Sequence, residues 1–116
     1  MATGHKITIV PAGEHVEVSL DGQKLAESDR AVRLDETGLP ARYYIPRDDV
    51  RMDLLEPTDH KSTCPFKGQA SYWSVRAGDD RLENVVWSYP EPIPDAEGIA
   101  GLLSFYNDRV QITIGG

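Results

Sequence analysis

A mainly β fold, small and antiparallel with one or two short helices, is what this sequence predicts, and three observations carry the prediction. Apolar and polar residues alternate through the first third, an Asp21-Gly22 pair separates two such runs, and aromatic-rich extended segments follow around Trp73 and Trp87. The 116 residues suit one domain spanning 1–116, since domains cluster at roughly 100–150 residues. Two Trp, five Tyr and two Phe within a 40% apolar composition are enough for one packed core.

Residues 6–10, 15–20 and 31–34 alternate with period two and are expected as half-buried strands. Asp21-Gly22 suits the positive backbone angles of a tight hairpin, which puts Leu20 and Gln23 side by side. Residues 42–45 form a further extended run, and the proline and acidic residues of 46–50 suit one helical turn. Segments 71–75 and 84–89 flank the loop Gly78-Asp79-Asp80 as a second, aromatic hairpin. Pro90, Pro92 and Pro94 cannot donate to a ladder and mark an extended connector where the chain doubles back. Beyond it two readings stay open. One has a short helix capped by Asp95, then extended segments 102–106 and 110–114 around an Asn107-Asp108-Arg109 turn. The other is a single helix over 96–106, because Ile99, Leu102, Leu103 and Tyr106 have helical spacing.

Charge and cysteine content exclude several classes. Nineteen acidic against twelve basic side chains give a formal charge of -7, which repels a phosphate backbone, so nucleic acid is not an expected partner. No stretch approaches the ~20 apolar residues of a membrane helix. Cys64 alone allows neither an intrachain disulfide nor an all-cysteine zinc site. With no basic leader or cleavage site ahead of Ile7, the expectation is a cytoplasmic protein without a membrane partner. His5, His15 and His60 lack metal-ligand spacing, so neither a metal ligand nor a cofactor is assigned.

Chemistry concentrates between Asp59 and Gly68, where His60, Lys61, Cys64 and Lys67 bring an imidazole, a thiol and two amines onto one short stretch. A Lys67 ammonium close to Cys64 would stabilise a thiolate, and this makes Cys64 and Lys67 the candidates for catalysis. The plainer reading, a small buried hydrophobe with Pro65 and Gly68 merely shaping a turn, carries more weight for a lone cysteine. Lys67-Gly68 reverses the order that a phosphate-binding loop needs, so a triphosphate cradle is not expected. Arg42 and Asp49, seven positions apart, form a candidate buried ion pair.

The segments Arg42-Tyr43-Tyr44-Ile45-Pro46-Arg47-Asp48-Asp49-Val50, Cys64-Pro65-Phe66-Lys67-Gly68-Gln69-Ala70-Ser71-Tyr72-Trp73, Trp87-Ser88-Tyr89-Pro90-Glu91-Pro92 and Phe105-Tyr106 carry a resemblance. Over about residues 32–110 the chain resembles the bacterial and fungal family catalogued as domain of unknown function 427. The resemblance implies a small antiparallel β fold similar to that of methionine sulfoxide reductase B and the thalidomide-binding domain of cereblon. Those relatives usually hold zinc on four cysteines, which a single Cys64 cannot supply. The family's nucleotidyltransferase-like label finds neither paired metal-binding carboxylates nor a glycine-rich loop here. The resemblance further implies that Arg42, Tyr44, Asp49, Cys64, Lys67, Tyr72, Trp87 and Tyr89 converge on one pocket. Strand alternation assigns Tyr72 rather than Trp73 to that pocket, and sets Trp87 and Tyr89 on a common face.

Two functional classes follow. The first is a small-molecule site, binding or catalytic, with Tyr44, Asp49, Tyr72, Trp87 and Tyr89 lining it and polar contacts from Arg42, Cys64 and Lys67. The second is a non-catalytic interaction module that pairs through a sheet edge or face, most simply as a homodimer.

Overall fold

The structure, a computed structural model, describes residues 6–115, the Asp80 side chain excepted. Ten strands fold into three antiparallel sheets: β1 (Ile7–Pro11), β2 (Val16–Leu20), β3 (Gln23–Ser28), β4 (Val32–Glu36), β5 (Arg42–Tyr44), β6 (Leu55–Cys64), β7 (Gly68–Ala77), β8 (Asp80–Ser88), β9 (Leu103–Phe105) and β10 (Gln111–Ile114). The sheet orders are β1-β4-β5, β10-β2-β3 and β6-β7-β8-β9. Among the described residues helical structure is limited to 3₁₀ turns at Arg47–Asp49, Met52–Leu54 and Pro94–Ile99.

The mainly β expectation holds, and the first hairpin closes as its turn residues dictate. Leu20 faces Gln23 across a turn in which Asp21 and Gly22 both have positive φ, 49° and 84°. Arg47–Asp49 supplies the helical turn after Pro46, with Asp49 N–H donating to Pro46 O at 2.9 Å. The aromatic hairpin forms as β7 and β8, with β7 longer than expected at both ends and β8 starting four residues earlier and ending at Ser88, and with Tyr72 opposite Trp87.

One strand was not anticipated and two local expectations need correction. Residues 55–64, to which the sequence pattern assigns no element, form the ten-residue strand β6. It is an edge strand with one neighbour, β7, so Pro57 is tolerated and most of its side chains can stay polar and wet. The single helix over 96–106 does not form: the turn Pro94–Ile99 ends before Gly101, whose φ of +72° breaks helical geometry, and β9 follows. Nor does Asp95 cap that turn, because Ile93 occupies the cap position and Pro94 opens the helical turn. The extended segments around residues 107–109 do exist as β9 and β10, but β9 pairs with β8 and β10 with β2.

Alternation along the four-stranded sheet divides the core. Val86 and the half-buried Trp73 join one cluster with Val16, Val18, Leu25 and Phe105; Trp87 and Tyr72, their chain neighbours, join another with Leu34, Tyr44, Tyr89 and Ile99. The sheet therefore buries side chains on both faces, one against β10-β2-β3 and the other against β1-β4-β5. An isolated pairing, Ile45 with Leu103, and the Ser104 Oγ donation to Tyr43 O at 2.8 Å tie β5 to β9.

Candidate functional site

The second cluster is aromatic and not solid. A cavity of about 170 Å³ opens within it, between β4-β5 and the sheet bearing β7 and β8. Arg42 and Tyr44, two apart on β5, reach it from one side; Tyr72 and Trp87, register partners on β7 and β8, form the other. Tyr89, just beyond β8, continues the Trp87 face. Lys67 enters from the tight turn between β6 and β7, where its N–H donates to Cys64 O at 3.2 Å.

That turn is held against the proline-rich connector. Lys67 O accepts from Ile93 N–H at 2.9 Å, and Gly68 has φ +120°. A Cβ on Gly68 would lie 3.2 Å from Pro92 Cα, so both the backbone angle and the close approach call for glycine here.

The polar geometry is specific. Lys67 Nζ lies 2.6 Å from Glu36 Oε1, with the two side chains only 11% and 7% exposed. The Arg42 guanidinium sits 5.5 Å from the Trp87 ring centre and 5.7 Å from that of Tyr106, and among the described residues it has no carboxylate partner. Trp87 Nε1–H donates to Tyr44 Oη at 3.1 Å across perpendicular rings. Tyr72 Oη and Ser62 Oγ are hydrogen-bonded at 2.8 Å, and His60 packs against the Tyr72 ring.

Burial pushes the Tyr44 phenol up to about 12, partly opposed by the Trp87 hydrogen bond. It also raises Tyr89, helped by Tyr44, and raises Tyr106, where the Tyr72 hydroxyl adds to the effect. These three phenols are neutral at physiological pH, so each keeps a hydroxyl that can donate as well as accept.

Over residues 8–116 the sequence matches the family described as Domain of unknown function (DUF427). The chain belongs to the DUF427 family. No curated protein matches it. The family match extends beyond the motif-bearing stretch 32–110 and takes in nearly all of β1 to β10.

In this DUF427 chain Arg42, Tyr44, Lys67, Tyr72, Trp87 and Tyr89 line one cavity, whereas Cys64 and Asp49 do not. Cys64 is half-buried at the end of β6, packed against the aromatic cluster, and the Lys67 ammonium is directed to Glu36. Asp49 corrects a sequence expectation, because its partner is Arg30 rather than Arg42. Asp49 Oδ1 accepts from Arg30 Nη2 at 3.1 Å, and Oδ2 accepts from Ser28 Oγ at 2.6 Å. The physical reason is strand alternation: Arg42 shares the face of Tyr44, while the turn after Pro46 carries Asp49 to the end of β3.

Glu36 and Tyr106 belong to the site and were not anticipated. Glu36 follows Leu34 at strand period, and Leu34 lines the same cavity, so extending the alternation of β4 by one step identifies it. Tyr106 lay inside the segment whose helix-or-strand assignment was open.

Arg30, and after it Ser28, holds the Asp49 carboxyl below the ordinary aspartate range. A depressed carboxyl contributes stability that is present above its unfolded pKa, about 3.9, and is lost as pH falls through the lower folded value. Asp49→Asn is therefore expected to flatten the acid limb of stability below about pH 4. Urea-unfolding midpoints across that range check this, and an unchanged acid slope contradicts it.

No helix among the described residues is long and apolar enough to cross a membrane. No group of three or more His, Cys, Asp or Glu able to share a metal ion occurs among them.

Proposed function

We propose that this chain reversibly binds a small planar molecule in the aromatic cavity. The observation that carries this reading is the convergence of Trp87 and four of the five tyrosines on one hollow of about 170 Å³. An engineered cavity of roughly 150 Å³ holds benzene, so this volume suits one ring with a substituent or two. Aromatic walls with a few fixed polar groups are the usual form of such a site.

Binding is favoured over nucleophilic chemistry by two features. Lys67 is engaged at 2.6 Å by Glu36, and Cys64 lies outside the lining. An interaction module is less well supported. The edge strand β6 carries Pro57, Asp59, His60 and Lys61, a composition that discourages strand addition. Among the described residues Leu39 is the one large hydrophobic that is exposed, so no broad apolar patch invites a second copy. A lone thiol supports keeping this function in the cytoplasm.

Trp73→Phe leaves Trp87 as the sole indole and so reports on the cavity wall. Titration of that protein with small ring compounds is expected to give saturable changes in Trp87 emission. A flat response across neutral, anionic and cationic compounds overturns the proposal.

A further inference from the structure

Resting on the binding reading above, we infer that the molecule this cavity takes is a small planar carboxylate, its carboxylate held by Arg42. The charges lining the hollow are Arg42, Lys67 and Glu36. Lys67 and Glu36 compensate each other at 2.6 Å, and the Arg42 charge is left for an occupant. Contacts through the ring faces of Trp87 and Tyr106 orient the guanidinium without using its N–H donors. A planar fork of that kind matches a carboxylate in bidentate fashion.

The same geometry disfavours a cationic occupant. An aromatic cage selects cations when its ring faces are empty, but here Arg42 stands at Trp87 and Tyr106, and Lys67 lies 6.0 Å from the Tyr89 ring centre. The chain as a whole carries a formal -7, so attraction for an anion has to come from this local cation rather than from the overall field.

The mouth supplies the apolar half of the recognition. Leu39, 58% exposed, lines the cavity together with Pro40, on the turn between β4 and β5. A ring seated against the tyrosines would cover Leu39 while its carboxylate met Arg42. An occupant with an apolar ring at one end and a single negative charge at the other fits both features.

The test uses the Trp73→Phe protein and three single-ring probes of similar size: benzoate, benzamide and benzylammonium. Benzoate is expected to bind at least tenfold more tightly than benzamide, with benzylammonium weakest. Arg42→Gln is expected to lower benzoate affinity at least tenfold and to abolish the preference for benzoate over benzamide. Arg42→Lys, which keeps the charge and loses the fork, should restore part of the preference, and it provides the readout if Arg42→Gln does not fold. Benzamide binding as tightly as benzoate, or a benzoate preference that survives loss of the arginine, overturns the carboxylate assignment but leaves the planar-ligand reading standing. Silence from all three probes overturns both.

Discussion

Trp87→Ala is expected to cost about 3–5 kcal/mol of folding stability, the range for removing a large aromatic side chain from a core. The indole is 5% exposed and sits at the centre of the second cluster. Its removal deletes the edge-on contact with Tyr44, the packing against Tyr106 at 4.4 Å between ring centres, and the face on which Arg42 rests. It also strips the Tyr44 hydroxyl, deeply buried, of its Nε1–H donor. Trp87→Phe separates these contributions. It keeps most of the ring volume and loses the hydrogen bond, so its cost is expected to be smaller, about 1–3 kcal/mol. Urea-unfolding curves for the two variants give the comparison. A Trp87→Ala cost below about 1 kcal/mol would mean that the ring packs as a surface residue does, contrary to its burial.

The second large effect is expected from the Lys67–Glu36 pair. Two opposite charges with side chains 11% and 7% exposed have given up most of their hydration, and their mutual attraction at 2.6 Å offsets part of that cost. Glu36→Gln leaves a nearly buried ammonium without its carboxylate, and Lys67→Met leaves the carboxylate without its ammonium. Either change alone is expected to cost about 3–5 kcal/mol. Combining Glu36→Leu with Lys67→Met removes both charges together, and its cost is expected to fall well below the sum of the corresponding single changes. A double-mutant cycle on unfolding free energies reads the coupling. Additive single effects would show that water screens the pair despite its burial.

Much of this was readable from residue order because it depends on local rules. Alternation placed Tyr72 and Trp73 on opposite faces, and the positive angles that Asp21 and Gly22 accept fixed Leu20 against Gln23. What escaped depends on distant partners. β6 looks irregular because an edge strand needs to satisfy only one neighbour, and its polar, proline-bearing sequence lacks the usual pattern. The pairing of β10 with β2 joins opposite ends of the chain, and nothing near residue 107 encodes it. In the site, the rings and cations lay in recognisable motifs, whereas Glu36 reads like any acidic residue at the end of a strand. Asp49 shows the converse: a residue within a motif whose side chain serves a different corner of the molecule, beside Ser28 and Arg30.

The indole that faces the hollow is also a member of the hydrophobic core, and this links occupancy to global unfolding. A molecule that seats against Trp87 and has no affinity for the unfolded chain raises the melting temperature. At one hundred times its dissociation constant it adds about 2.7 kcal/mol to stability. Heat resistance in the presence of fractionated metabolites is thus a direct route to the natural occupant, with no assumption about what chemistry, if any, follows its capture.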